Sequence, residues 1–460
     1  MRFPRVWRDV IVRMRRVVDM KIQLISQASV LIRCTDCVIW TDPWLVGKAF
    51  NNSWSLHPKP DFQMEWLDEI DFLWISHEHP DHFNIPTLKM LPQEWKQRVV
   101  VLFQDKSSDR MVQAFQRFGF QNIRLMKHAT VEQLTTQTKA FIYQVGVLDS
   151  SLGVLNEGQT VVNINDCELN DWDKKSISKL CNHSIDVLLN QFSLAGNNGP
   201  RDHETLLTEK AKHILDTVVV DHRTLHAKCT LPFASFMYFS SETNRYINKY
   251  HNTVETVYQR FQQEQLRVKF LYINDTMDIR NLDFDDQEAR DRYREDQSDF
   301  EALDYDSYPK IPVEDIQQAF LKRADQLHSA FVSPVINRLG RMTAYVVDHA
   351  CAVSFSVADK QFQVEPDLPE NQADLIIHSQ PLHQAFQMTW GVQTIGVGAQ
   401  YFIEKNTKTW RWYRMITSLN NAEVHLNKQS LRSSGFWKYV YQRSKGNGVG
   451  QLLFRVKKAL

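Results

Sequence analysis

The sequence predicts an α/β fold in which two β-sheets are sandwiched between helices (αββα), followed by a C-terminal α+β appendage. Three observations predict it. Short strand-like apolar runs fall into two groups, each followed by helical stretches; one run, Phe72–Ser76, stops abruptly at a histidine cluster; and beyond an acidic stretch the chain resumes with a smaller set of mixed helical and strand-like segments. A chain of 460 residues, 43% of them apolar, is long enough for a sizeable core and for more than one domain.

Residues 1–20 read as a basic arm: positions 1–21 carry seven Lys/Arg against Asp9 and Asp19. From Lys21, the runs Ile22–Ser26, Val30–Arg33 and Val38–Thr41 are separated by turn-prone residues and read as three consecutive antiparallel strands. After Phe72–Ser76, Pro86–Leu91 suits a short helix, Val99–Phe103 a strand, and Ser108–Phe118 a helix with Ser108 as its cap. The second group is Val131–Leu134, Ala140–Val145, Leu152–Leu155 and Thr160–Ile164, then a helix near Lys174–Cys181, a strand at Ile185–Phe192 and a longer helix from about Asp202. Meander, helix, meander, helix is the order that two sheets between helices produce, which assigns residues 21–274 to one catalytic domain. Residues 275–306 hold thirteen acidic residues against four arginines, so 275–312 read as a charged connection. A helix at Val313–Val332, three strand-like runs within Gly340–Val364, and the segments Ala373–Ile377, Pro381–Met388 and Val397–Phe402 make up the appendage, residues 313–420. The last segment, 421–460, is a basic tail with eight Lys/Arg against Glu423.

Lys plus Arg equals Asp plus Glu at 54 each, so no global field attracts nucleic acid, and none is expected as a partner. The basic ends, with Phe436, Trp437 and Tyr439 in the tail, leave peripheral membrane contact open. Six cysteines in a chain this long are no disulfide framework; a reducing cytoplasmic setting is expected, with Cys34 and Cys37 as structural thiols. The basic-aromatic alternation at Trp410–Tyr413 suits a half-buried strand, and the glycines from Gly446 to Gly450 suit a hinge.

The chemistry concentrates in His77, His79, Asp81 and His82. Two histidines one residue apart at a strand end point the same way, and the turn after Pro80 brings Asp81 and His82 back toward them. Nitrogen and oxygen donors converging on one point suit zinc or iron, and a carboxylate beside two metals can bind one ion and orient a bridging water.

This His-x-His-x-Asp-His pattern resembles the signature of the metallo-β-lactamase superfamily. The resemblance implies that His77 and His79 bind one metal, and that Asp81 and His82 bind a second. Gln27–Ile32 and the Thr41-Asp42-Pro43-Trp44-Leu45 segment look like those of its lactonase-like branch, which implies a buried orienting role for Asp42. Where that pattern continues with a histidine, this chain has Asp149 in Asp149-Ser150-Ser151-Leu152, while Asp166 matches the bridging aspartate. The intervening His128 reads as a loop residue rather than a ligand. Carboxylate in place of imidazole hardens the site and makes iron or manganese more credible. Asp149–Leu152, Asn163–Cys167, Leu231–Phe236 and, more weakly, Trp390–Gly396 are similar to the CMP-N-acetylneuraminate hydroxylase-like group. That family usually carries a Rieske iron–sulfur domain with paired Cys-x-His and Cys-x-x-His elements, and this sequence contains no such pair. The superfamily's last ligand, a histidine, is open between His222, His226 and neither; the two lie four apart, on one face if helical. Pro232–Phe236 is expected to line the substrate cleft. Arg201 is a candidate clamp for an anionic group, with surface ion pairing as the alternative.

The expected function is that of a metal-dependent hydrolase with two divalent ions, zinc or iron with manganese possible, activating a water that Asp81 orients for attack on an ester, lactone, amide or phosphodiester. The alternative is a dinuclear iron monooxygenase acting on a nucleotide-sugar or related metabolite, which needs an electron-transfer partner. Either way the substrate is a small molecule, anionic if Arg201 serves as the clamp.

Overall fold

The computed structural model describes residues 20–403, apart from 107–108, 147, 198, 202, 299, 329–339 and 389. The N-terminal arm, the basic tail and the segments at Trp410–Tyr413 and Gly446–Gly450 lie outside the described residues.

The chain opens with an antiparallel meander, β1 (Lys21–Ser26), β2 (Ser29–Arg33) and β3 (Val38–Thr41). A short β4 (Trp54–Leu56) leaves the sheet, and β5 (Phe72–Trp74) returns parallel to β3. Helices α1 (Ile85–Met90) and α2 (Gln93–Arg98) lead to β6 (Val100–Gln104), and α3 (Arg110–Arg117) leads to β7 (Asn122–Met126), both strands again parallel. The second sheet is a meander of β8 (Glu132–Gln133), β9 (Thr138–Val145), β10 (Asp149–Asn156) and β11 (Gln159–Asn165). It is extended in parallel by α4 (Asp171–Leu180), β12 (Ile185–Gln191), α5 (Glu204–Thr224) and β13 (Ala227–Phe233). β14 (Met237–Phe239) pairs with β4 in a separate ribbon, and α6 (Val254–Gln263) follows.

Period-two burial builds the sandwich. Ile22, Leu24, Val30, Ile32 and Ile39 point between the sheets, where they meet Ile142, Leu152, Val154, Val187 and Leu189. Their neighbours Ile25, Leu31, Val38 and Trp40 point outward to Leu88, Trp95 and Phe115 of α1–α3. On the far side, Phe141, Val162, Ile164 and Leu188 meet Ile177 of α4 and Leu225 at the end of α5. Three apolar layers between four layers of structure are the αββα sandwich that the sequence predicts.

The acidic stretch is part of that domain, which corrects its reading as a connection. β15 (Thr276–Asp278) pairs with β1 at the edge of the first sheet, and α7 (Gln287–Asp296) packs against α6. Most of the acids are at least partly exposed, Asp286 being a buried exception that accepts from the Phe270 N–H, while a spaced apolar minority, Met277, Ile279, Ala289 and Tyr293, is buried. Tyr293 stacks on Phe236 with ring centroids 4.5 Å apart, and Arg290 and Arg292 lie over Tyr258 and Tyr272. Overall acidity hid a buried face that only the spacing of four side chains encodes. Helix α3 starts at Arg110 with Asp109 as its N-cap, and Ser108, read as the cap, lies outside the described residues.

In the appendage, α8 (Val313–His328) precedes β16 (Arg341–Val346), β17 (Cys351–Ser356), β18 (Gln361–Glu365), β19 (Leu375–Ile377), α9 (Ser379–Gln387), α10 (Gly391–Val397) and β20 (Tyr401–Ile403). The strands form one sheet in the order β18-β17-β16-β19-β20, with its own core centred on Phe320, Phe355 and Phe386. Side chains tie it to the first domain: Asn244 donates to the Gly398 carbonyl at 2.8 Å, and Asn51 to Gln380 at 2.8 Å. No helix among the described residues is long and apolar enough to cross a membrane.

Candidate metal centre

The parallel order β3-β5-β6 leaves the carboxyl end of β5 at the rim of the sandwich, the part of a parallel sheet where open α/β folds place their ligands. The chain leaves β5 through Ile75 and Ser76 into His77. Ser76 is anchored by Asp42, just past β3, which accepts from its N–H and its hydroxyl at 2.7 Å each. A tight turn follows, with the His82 and Phe83 N–H groups donating to the His79 carbonyl at 3.0 and 2.7 Å. Asn84 closes it by capping α1 through Thr87. From the second sheet, Asp149 opens β10 and Asp166 follows β11.

The structure brings the six residues read as ligands to one place. His77 Nε2 lies 2.7 Å from His79 Nδ1 and 3.7 Å from both Asp149 Oδ1 and Asp166 Oδ2. His82 Nε2 lies 3.2 Å from Asp81 Oδ2 and 3.6 Å from Asp166 Oδ2. Two donor groups each fit within 4.8 Å, His77 with His79 and Asp149, and His77 with His82 and Asp166. One oxygen of Asp81 and one of Asp166 are buried with no hydrogen-bond partner, as oxygens left over for an ion or its water would be. The donor set fits a pair of hard or borderline divalent ions.

The protonation states agree with this. Burial holds His77 and His79 below the usual imidazole range, so both present free lone pairs near neutrality. Burial also disfavours a charge on His82, but Asp81, Asp166 and Asp42 outweigh it and raise that imidazole well above its ordinary value. Burial, then the adjacent Asp166 charge, pushes Asp149 up to about 8. A third of its side chain (32%) still opens to solvent, which moderates the burial effect and makes the neighbouring charge the firmer cause. Asp166 is also opposed by burial, yet His77 and His82 hold it well below the carboxylate range. A cation bound here would substitute for the His82 proton and release it.

Asp42 is the main support beneath the ligands. It is fully buried in a left-handed conformation (φ 34°) and accepts from His82 Nδ1 and Asn165 Nδ2, both at 2.9 Å, besides the two bonds from Ser76. Sequence reading proposed an orienting role for Asp42 but did not anticipate Asn165. Missed as well was Glu78, between the two first histidines, which pairs with Lys106 and Arg110. Its position inside the motif was the signal available.

Several sequence candidates lie elsewhere. α5 ends at Thr224, so His226 falls beyond the helix, exposed at φ 56°, and does not share a face with His222. His222 is buried against Thr230, with Nδ1 2.8 Å from its hydroxyl, and among the described residues neither histidine joins a donor group. Exposed His128 accepts from the Gln144 N–H at 3.0 Å. Arg201 pairs with Glu370 and lies 5.7 Å from the Phe402 ring centroid, so surface ion pairing, not an anion clamp, is what the structure shows. Pro232–Phe236 is core rather than cleft: Pro232 and Phe233 end β13, the Ala234 N–H donates to the Gln27 carbonyl at 2.6 Å, and Phe236 packs on Tyr293. Cys34 and Cys37 are buried thiols, outside any donor group among the described residues.

Burial of His222 carries a pH signature. Its value is pushed down from 6.5 to about 4, so between those values the unfolded chain takes up a proton that the folded chain refuses. The contribution is absent above about 6.5, destabilising as pH falls below it, and complete by about 4. Urea midpoints measured from pH 7 to pH 4 should fall less steeply in His222→Gln than in the wild type; identical slopes would remove this histidine as a cause.

A cleft of about 860 Å3 opens beside Asp166 between the β11–α4 loop and α5, with Glu168, Lys174, Asn190, Lys210 and His213 among its walls. At its floor, Lys174 and Asp221 form a buried ion pair at 2.7 Å. Such a volume suits a small ligand, and of the six donor residues Asp166 alone lines it.

Comparison with known proteins agrees with this architecture. Residues 21–174 match the beta-lactamase superfamily domain. The chain is 27% identical over 189 residues to the cytidine monophosphate-N-acetylneuraminic acid hydroxylase of Asterias rubens, a match covering 40% of this chain and 28% of that protein. With the Danio rerio protein of the same name it is 25% identical over 247 residues, covering 50% of this chain and 40% of the relative. The chain thus spans less than half the length of these curated relatives. Solved structures of similar outline include an isothiocyanate hydrolase from Delia radicum gut bacteria (TM-score 0.42, 14% identity, 56% of this chain and 98% of that one). CmlA, a diiron beta-hydroxylase from Streptomyces venezuelae, gives a TM-score of 0.39 at 13% identity, over 56% of this chain and 54% of its own. Through residues 21–174 the chain thus carries a match to the beta-lactamase superfamily domain, and it resembles the cytidine monophosphate-N-acetylneuraminic acid hydroxylases.

Proposed function

We propose that this chain is a dinuclear iron enzyme that hydroxylates a small polar metabolite with O2, taking electrons from a separate redox protein. The observation that carries the reading is Asp149, whose carboxylate meets His77 and His79 where the superfamily pattern has an imidazole. With Asp81 and Asp166 it makes three carboxylates beside three histidines. Two divalent ions and one hydroxide are then balanced in charge, whereas an imidazole at position 149 leaves one positive charge in excess. The added anionic oxygen favours iron or manganese over zinc and stabilises an oxidised metal pair. The sequence likeness to hydroxylases supports the same direction.

When bound, the iron pair supplies the activation of O2. The chain's own residues do the rest. His77, His79 and Asp149 hold one ion, while Asp81, His82 and Asp166 hold the other. Asp42 fixes the His82 ring through Nδ1 so that Nε2 faces the centre. The unpartnered Oδ1 of Asp81 would accept and return a proton. The cleft beside Asp166 receives the substrate, and Lys210 on its wall offers a counter-charge to an anionic group.

Hydrolysis is the second reading, favoured by the unpartnered buried oxygens of Asp81 and Asp166, which suit a bridging water whose pKa two zinc ions would lower to about 7. Sequence alone ranks hydrolysis first; the position of Asp149 beside His77 and His79 favours the oxygenase instead. Metal analysis of the purified chain, its visible absorption and its O2 uptake with a chemical reductant separate them. The expected result is about two irons per chain, ferric absorption and reductant-dependent O2 uptake, with Asp149→His shifting metal selection toward zinc by about tenfold. Two tightly held zincs in a colourless protein that cleaves lactones or phosphodiesters without O2 would overturn the iron reading.

A further inference from the structure

We propose that the C-terminal appendage is a positioning element of the metal centre, gripping the backing of His79 from two sides: through Trp390, Arg110 and Glu78, and through Gln380, Gln400 and the Phe50–Asn51 loop. This inference rests on the metal-centre reading and extends it to a part of the chain with no role so far.

The need for such support is visible at the ligands. His82 is held by Asp42 and Ser76, and His77 by the Ser76 hydroxyl at 3.0 Å. Among the described residues, the ring nitrogens of His79 have a hydrogen bond only with His77, itself a proposed ligand. The set of the His79 ring therefore falls to the backbone beside it and to the side chain packed on it.

The backbone beside it is Glu78, whose side chain is 7% exposed. Arg110 donates to one of its oxygens, and Lys106 stands 3.6 Å from the other. The guanidinium of Arg110 lies 4.6 Å from the ring centroid of Trp390, a residue of the appendage. Its neighbour Gly391 lies so close to α9 that a Cβ there would sit 2.1 Å from the Gln384 carbonyl oxygen. The contact runs unbroken from appendage helix to metal motif.

The side chain packed on it is Phe50, edge-on to the His79 ring with centroids 5.9 Å apart. Phe50, Asn51 and Asn52 take φ values of 49°, 58° and 60°, three left-handed residues in succession, none of them glycine. Residues with a Cβ hold that conformation only where their surroundings over-determine it. Much of that surrounding is the appendage. Asn51 donates to Gln380 and Gln400 at 2.8 and 3.1 Å, Gln380 donates back at 2.9 Å, and the Gln400 amide donates to the Asn51 carbonyl at 3.1 Å.

A ligand whose orienting contacts are removed binds metal about 10–100-fold less tightly while the fold persists. The test uses the full chain, stripped with chelator and titrated with Co2+, with affinity and the visible Co2+ spectrum as readouts. In Trp390→Ala and in Gln380→Ala, one of the two Co2+ ions should bind about tenfold more weakly, with altered band intensities, while Trp390→Phe keeps both within about twofold. Gln380→Ala removes only a half-buried amide, so it serves if Trp390→Ala does not fold. Lowered melting temperatures with an unchanged Co2+ affinity and spectrum would overturn the proposal, leaving the appendage merely structural. A wild type that binds no Co2+ would instead bring down the metal-centre reading beneath it.

Discussion

Replacing His77 and His79 together by alanine is expected to abolish one metal site and loosen the other. His77 belongs to both donor groups, and its Nε2 faces Asp149 and Asp166 alike, so its loss is felt by both ions. The consequence can be read without knowing the substrate. A ligand bound only by the folded state stabilises it by about 2.7 kcal/mol at a hundredfold excess over its Kd, so metal should raise the melting temperature of the stripped wild type by several degrees. The double variant should show little of that rise while melting, without metal, close to the stripped wild type. The substitution removes one buried and one half-buried ring, while His82 stays paired with Asp166 and Ser76 keeps its bonds to Asp42. Any metal-dependent turnover should fall on the order of a thousandfold or more, corresponding to about 4 kcal/mol of lost transition-state stabilisation. An equal metal-induced rise in both proteins would end the assignment of these residues as ligands.

Asp42→Ala should be the most destabilising single change near the centre, by about 3–5 kcal/mol. The carboxylate accepts four hydrogen bonds in a site that water does not reach, and its removal leaves the Ser76 N–H, the His82 Nδ1–H and the Asn165 amide without their partner. Each stranded buried donor costs about 1–3 kcal/mol, offset in part where neighbours relax. Asp42→Asn separates stability from ligand orientation. Asparagine tolerates the left-handed backbone at this position and keeps the volume, but its NH2 group cannot accept from His82. It should cost less, about 1–3 kcal/mol, and still weaken metal binding by about 10–100-fold. Denaturant unfolding of the stripped proteins gives the first quantity and metal titration the second. Wild-type metal affinity in Asp42→Asn would show that the His82 ring needs no partner beneath it.

What was legible in the sequence follows from how local each feature is. His77, His79, Asp81 and His82 lie within one turn, and their convergence needs only the end of a strand and a tight reversal, both written in consecutive residues. The αββα layering was legible for the same reason, because period-two apolar runs such as Ile22, Leu24, Val30 and Ile32 define a buried face wherever they pair. Asp149 and Asp166 were legible only by pattern. Nothing near position 149 signals that its carboxylate faces a histidine on the opposite sheet. Whether His222 and His226 share a face stayed open in the sequence, because helix α5 ends between them just before β13, with no breaker residue to mark the boundary. The acidic segment was misread for a different reason: composition averages over faces, whereas burial depends on the few residues that turn inward.

The sequence by itself determined the chemistry of the donors and the layered class of the fold, since both depend on residue types a few positions apart. Tertiary structure alone decided the rest: that Asp42 gathers Ser76, His82 and Asn165 around one carboxylate, that Asp149 completes the donor group of His77 and His79, and that Trp390 reaches Glu78 through Arg110. These contacts join residues from 32 positions apart, Glu78 with Arg110, to 280 apart, Arg110 with Trp390. Contacts at such separations are set by how sheets and domains pack, and local sequence carries no record of which distant surface a side chain will meet.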